Sequence, residues 1–122
     1  MSHVTGIGGV FFRAPDSKTV VAWYKENLDM DIGGENFWRQ EAGPTVYAPF
    51  KADTDYFGDK SQQWMVNLRV KDLDKLIDSL RAKGVDVETR EEWVMPEIGT
   101  FARIHDPAGT PIELWEPAPE CA

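Results

Sequence analysis

The sequence predicts an α+β domain made of a duplicated strand–helix–strand unit. Two stretches, residues 9–28 and 65–83, share one order of features: a strand-like run, an Asp, and then a helical pattern. Two later runs, residues 43–49 and 109–115, are also alike and read as the closing strands of the two copies. A repeat of this size is typical of a duplicated supersecondary unit, and short strands mixed with single helices favour the α+β class.

Each predicted helix begins after an Asp and buries one apolar stripe. Asp16 and Asp72 stand where an N-cap carboxylate would accept hydrogen bonds from free first-turn amides. Gly84 stands where a helix-ending glycine belongs, and Asp29 holds the equivalent place in the first copy. The stripe of the second helix recurs at i, i+3, i+4 and i+7 and consists of Leu73, Leu76, Ile77 and Leu80.

The end of the chain predicts a β-hairpin. Residues 106–109, with the sequence Asp-Pro-Ala-Gly, form a turn signal between the strand-like runs 101–105 and 110–115. Residues 53–59 form a polar, glycine-containing connector between the two copies.

Composition limits the functional classes. The 122 residues fit one domain, and a formal net charge of −8 disfavours nucleic acid as a partner. No apolar run approaches the ~20 residues needed to span a bilayer, so we expect no membrane partner. The single Cys121 excludes a disulfide within the chain, which suits a reducing compartment, and we expect a cytoplasmic protein.

The two ends of this pattern resemble a known family. Two segments resemble motifs of the glyoxalase/bleomycin-resistance/extradiol-dioxygenase (vicinal oxygen chelate) superfamily. The first is residues 12–16 with the helix that follows, which contains Trp23-Tyr24 and Asn27-Leu28, and the second is residues 106–114. The resemblance implies a single glyoxalase-like domain over residues 1–122, with one βαβββ module at about 4–58 and a second at about 62–117. It further implies curved mixed sheets around a shared concave cleft, a small-molecule ligand and a homodimer.

Metal-dependent members of that superfamily hold their ion at four pseudo-symmetric positions, which correspond here to Gly9, Tyr47, Met65 and Glu113. Of these four residues only Glu113 is a good ligand for a divalent cation, because such ions prefer His or carboxylate donors. We therefore expect no metal cofactor, with Glu113 as a weak candidate ligand. The alternative is an atypical site for Zn, Ni, Fe or Mn.

Strand alternation then assigns side chains to the implied cleft. If Glu113 faces the cleft, Ile112 and Leu114 pack behind the sheet. If Gly9 faces the cleft, Val10 and Phe12 should pack under the first helix. Arg103 would share the face of Glu113, and we hypothesise that the two pair in place of a metal; an exposed Arg103 at the sheet rim is the alternative. The candidate ligand-binding residues are Phe11, Trp38, Tyr47, Met65, Asn67, Arg103, Glu113 and Trp115.

Three functions are compatible with these residues. The first is metal-free binding of a small molecule, with bleomycin-resistance-like sequestration as one form, because an acidic, aromatic cleft favours cationic or planar ligands. The second is a lyase, isomerase or dioxygenase-like enzyme, in which Glu113 acts as general base and Tyr47 or Arg103 stabilises the developing charge. The third is a regulatory module with a vestigial pocket.

Overall fold

The computed structural model describes residues 2–34 and 37–122, so that Met1, Glu35 and Asn36 lie outside the described residues. None of the described helices is long and apolar enough to cross a membrane. The elements, in chain order, are α1 (Ser17–Leu28), β1 (Val66–Arg69), α2 (Leu73–Ala82), a short 3₁₀ helix (Glu91–Trp93), β2 (Val94–Met95), β3 (Gly99–His105) and β4 (Pro111–Pro117).

The four strands form one mixed sheet in the order β1-β4-β3-β2. β1 runs parallel to β4, while β4 and β3, and β3 and β2, are antiparallel neighbours. Together with α2, these strands make the second copy a complete βαβββ unit. The hairpin predicted around residues 106–109 is present as the β3–β4 connection.

The core lies between one face of the sheet and the two helices. Strand alternation sends every second side chain of β1, β3 and β4 to this face, as predicted. The helical stripe of α2 and two residues of α1 cover it. The buried cluster contains Val20, Tyr24, Leu68, Leu73, Ile77, Leu80, Ala102, Ile104, Ile112 and Leu114.

The helix ends agree with the predictions except at one position. Asp16 caps α1 through a hydrogen bond accepted from the Thr19 amide, at 3.3 Å, and Asp29 ends the same helix in the left-handed conformation. Asp72 makes no side-chain cap bond, so its predicted role at α2 is wrong. The amide of Leu73 instead donates to a carboxylate oxygen of Glu116, at 2.6 Å, so that β4 caps the helix packed beside it.

One buried hydrogen bond joins α1 to the hairpin turn. The hydroxyl of Tyr24 donates to Oδ2 of Asp106 at 2.7 Å, and Oδ1 of Asp106 accepts from the amides of Ala108 and Thr110. Burial raises the pKa of Tyr24 far above its ordinary value, and the bond to Asp106 adds to the effect. This hydrogen bond therefore joins the two motifs, the Trp23-Tyr24 helix and the Asp-Pro-Ala-Gly turn, in one contact.

Within the described residues, the first copy contributes α1 but no strand. Residues 2–13 and 37–50 carry no assigned strand. Val10 is 57% exposed, which contradicts its predicted place under the helix, and Phe12 packs against Trp64 at 5.3 Å between ring centroids. The buried residues of α1 pack instead with the second-copy sheet, since Val20 and Tyr24 belong to one buried cluster with residues of β1, β3 and β4.

Candidate functional site

The candidate site lies on the sheet face opposite the core. In the strand register, Glu113 of β4 stands between Asn67 of β1 and Arg103 of β3. Because alternate residues of a strand point to opposite faces, these three side chains share the face that the helices leave uncovered. Asn67, Arg103 and Glu113 thus lie on one face of the sheet, as strand alternation predicted.

Both carboxylate oxygens of Glu113 accept hydrogen bonds. Nδ2 of Asn67 donates to Oε1 at 2.7 Å, and the hydroxyl of Tyr56 donates to Oε2 at 2.5 Å. Bonds to an ionised acceptor are shorter and stronger than bonds between neutral groups. The carboxylate is therefore held in a fixed orientation by two donors from different parts of the chain.

Arg103 completes the cluster without forming a direct ion pair to Glu113. Its guanidinium carbon lies 4.5 Å from the centroid of the Tyr56 ring, and Nη2 lies 3.6 Å from the sulfur of Met65. The hypothesised direct Arg103–Glu113 pair is thus replaced by an arrangement in which Tyr56 contacts both charged groups. We call Tyr56, Met65, Asn67, Arg103 and Glu113 the Glu113 cluster.

Burial in this arrangement affects Tyr56 and Arg103. Desolvation raises the pKa of Tyr56, the bond to the Glu113 carboxylate raises it further, and the nearby charge of Arg103 partly opposes both effects. Nε of Arg103 is buried and has no hydrogen-bond partner within the described protein. The cluster therefore contains one buried donor without a hydrogen-bond partner, and such a donor typically costs about 1–3 kcal/mol of stability.

Aromatic rings extend the cluster along the same side. Phe50 stacks on Tyr56 with a centroid distance of 5.7 Å and an interplanar angle of 12°, and Phe57 packs against Phe50. Elsewhere in the sheet, Trp115 stacks on Phe101 at 6.0 Å. Trp115 is buried and its indole N–H donates to the carbonyl of Ile98, so this ring is fixed within the protein.

Three predicted ligand-binding residues of the first copy are not packed into the cluster. Phe11 is 94% exposed, Tyr47 is 90% exposed and Trp38 is 48% exposed. The predicted roles of all three, including Tyr47 as a catalytic group, therefore stay predictions.

The sequence interpretation missed Tyr56. The residue lies in the connector between the two copies, in a turn-rich segment without regular structure. One signal was available: Tyr56 and Phe57 are adjacent aromatic residues in an otherwise polar stretch. Aromatic rings in a connector favour packing against a neighbouring surface over full solvation.

The donors around Glu113 do not fit a catalytic divalent cation. Such a site needs about three protein ligands of the His, Cys or carboxylate type, and Glu113, which already accepts bonds from Tyr56 and Asn67, is the one such residue in the cluster. Across residues 2–34 and 37–122, no group of three or more His, Cys, Asp or Glu side chains is arranged to hold a metal. Met65, at another of the four mapped positions, contacts Arg103 through its sulfur.

Two surface hollows lie away from the cluster. One, of about 290 Å³, is lined by residues that include Trp23, Asp86 and His105. The other, of about 510 Å³, lies beside α2 and includes Asp78 and Arg90. Neither hollow is lined by a residue of the Glu113 cluster.

The fold is glyoxalase-like: an α+β chain with a curved, unclosed mixed sheet, as the sequence predicted. A similar fold occurs in the crystal structure of TnmS3, an antibiotic binding protein from Streptomyces sp. CB03234. The TM-score is 0.62, the sequence identity is 20%, and the match covers 97% of this chain and 100% of that one. No protein-family profile and no curated protein matches the sequence.

Proposed function

We propose that this chain is a metal-free small-molecule-binding protein of the glyoxalase/bleomycin-resistance type, and that its ligand binds at the Glu113 cluster. The observation that carries the proposal is the pair of hydrogen bonds that hold Glu113 between Tyr56 and Asn67, next to Arg103. Ligand sites typically combine apolar rings with a few fixed polar groups. Here the carboxylate and guanidinium supply the polar groups, and Phe50 supplies a neighbouring ring.

The ligand class follows from the same residues and from the likeness in fold. TnmS3 is an antibiotic binding protein, and we extend that function to this chain as part of the proposal. Planar, partly aromatic molecules suit a site where rings stack and a carboxylate accepts hydrogen bonds. The net charge of −8 further favours ligands without excess negative charge.

Enzymatic use of Glu113 as a general base is the alternative. Each oxygen of Glu113 accepts one hydrogen bond from a protein donor and keeps a further lone pair, so the carboxylate can also accept a bond from a ligand. Proton abstraction would rest on this one carboxylate alone, whereas binding needs no proton transfer, so the geometry supports binding better.

Removing the carboxylate should weaken ligand binding. We expect Glu113→Leu to lower the affinity for a planar aromatic antibiotic by about 10–100-fold, because a hydrogen bond to a charged group contributes about 1.5–3 kcal/mol. The measurement is a calorimetric titration of the wild type and the variant with a panel of such compounds. Glu120→Leu removes the same charge from an exposed position near the C-terminus and should leave the affinity unchanged.

Two results would contradict the proposal. One is a wild-type chain that binds no member of the panel. The other is an affinity that falls equally in Glu113→Leu and Glu120→Leu, since the effect would then come from net charge alone.

We further propose that the chain is a homodimer whose contact involves the first-copy segments. Most of the exposed large apolar side chains that the structure describes lie on residues 4–12 and 37–50. Apolar patches of this kind mark association surfaces.

Light scattering tests this association. We expect a mass of about twice the 13.8 kDa of one chain. Val46→Asp, which puts a charge among the exposed first-copy residues, should shift the protein toward monomer, whereas Val94→Asp on β2 should not. A wild-type protein that is monomeric at all concentrations would contradict the proposal.

A further inference from the structure

The position of Tyr56 suggests which part of a ligand the site recognises. Its ring contacts the Arg103 guanidinium and the Phe50 ring, while its hydroxyl donates to Glu113. We propose that Tyr56 occupies a subsite for a hydroxylated aromatic ring, and that such a ring of the ligand displaces Tyr56 when it binds. The inference rests on the proposed function, which it makes more specific.

The groups around Tyr56 match the chemistry of a phenol. Oε2 of Glu113 accepts a hydrogen bond from the hydroxyl, and the guanidinium of Arg103 lies over the electron-rich ring. A ring that carries a positive charge would be repelled by Arg103. The subsite therefore favours neutral, electron-rich, hydroxylated rings over cationic or unsubstituted ones.

The way Tyr56 is held is consistent with displacement. It belongs to a connector of turns, outside any helix or strand, and it remains partly exposed. While Tyr56 lies in the subsite, the buried Nε of Arg103 has no hydrogen-bond partner. A ligand ring with a second oxygen next to its hydroxyl could reach the guanidinium and satisfy that donor, which the single hydroxyl of Tyr56 does not.

The experiment removes the tyrosine side chain by mutation and supplies the same chemical group in solution as 4-methylphenol. We expect Tyr56→Ala to bind 4-methylphenol at least tenfold more tightly than the wild type does, measured by ligand-observed NMR titration. Toluene, which has the same ring without the hydroxyl, should gain less than threefold. Val94→Ala removes an exposed apolar side chain from β2, outside both the cluster and the first-copy segments, and should behave as the wild type.

A milder variant keeps the test decisive if Tyr56→Ala does not fold. Tyr56→Phe retains the ring but frees Oε2 of Glu113, and we expect it to bind 4-methylphenol severalfold more tightly than the wild type. The inference is overturned if the folded variants bind 4-methylphenol no better than the wild type, or if toluene gains as much.

The outcomes also separate the inference from the proposed function. If the wild type binds antibiotics of the panel and neither Tyr56 variant gains 4-methylphenol binding, the proposed function stands and the subsite is wrong. If the wild type binds none of the panel while Tyr56→Ala gains selective 4-methylphenol binding, the subsite stands and the proposed function is wrong.

Discussion

Asp106→Ala should lower the free energy of unfolding by about 3–5 kcal/mol. The Asp106 carboxylate accepts from the buried hydroxyl of Tyr24 and from the amides of Ala108 and Thr110. Each buried donor that loses its partner costs about 1–3 kcal/mol. The substitution also breaks the contact between α1 and the β3–β4 turn, so its effect should extend beyond the hairpin.

Two matched variants separate the causes in urea-induced unfolding. Asp106→Asn keeps the side-chain shape and an acceptor oxygen for the turn amides, so we expect a loss of about 1–2 kcal/mol. Asp86→Ala removes an exposed carboxylate elsewhere on the surface and should change stability by less than about 0.5 kcal/mol. If Asp106→Ala were as stable as Asp86→Ala, the contact between Tyr24 and the turn would not contribute to the fold.

Gly99→Ala should destabilise the chain by about 2–5 kcal/mol. Gly99 begins β3 with φ +137°, a conformation that side chains rarely adopt, and an added Cβ would lie 2.2 Å from the carbonyl oxygen of Glu116. Backbone strain and overpacking each cost about 1–3 kcal/mol. Because the obstructing atom is backbone of the paired strand, it cannot move aside without breaking the β3–β4 register.

Comparison with a second glycine isolates the steric part. Gly84 also has a positive φ, of +84°, but an added Cβ would meet nothing within 4 Å. Gly84→Ala should therefore cost about 1 kcal/mol, from backbone conformation alone. Thermal unfolding of both variants gives the comparison, and equal losses would refute a steric role for the space around Gly99.

The sequence predicted the features that depend on local pattern. Alternation in β4 separated Ile112 and Leu114 from Glu113, and the turn residues 106–109 located the hairpin. The Asp16 cap was equally readable, because a cap involves residues only three apart. Such signals lie within a few residues of the structure they determine.

The features that the sequence did not reveal depend on distant contacts. Glu116 caps α2 from 43 residues away, and Tyr56 reaches Glu113 across 57 residues. Neither partner is marked by local spacing, because only the parallel pairing of β1 with β4 brings β4 beside α2 and the connector. The same limit applies to the strand-like runs 9–13 and 43–49: they have strand composition, but alternation alone does not say whether or with what they pair.

The location of a bound ligand tests the central claim most directly. The measurement is a ¹H–¹⁵N NMR titration of the wild type with the tightest-binding compound of the panel. We expect the largest shift changes at the Glu113 cluster, on Tyr56, Asn67, Arg103 and Glu113. Changes concentrated instead beside α2, around Asp78 and Arg90, would contradict the account.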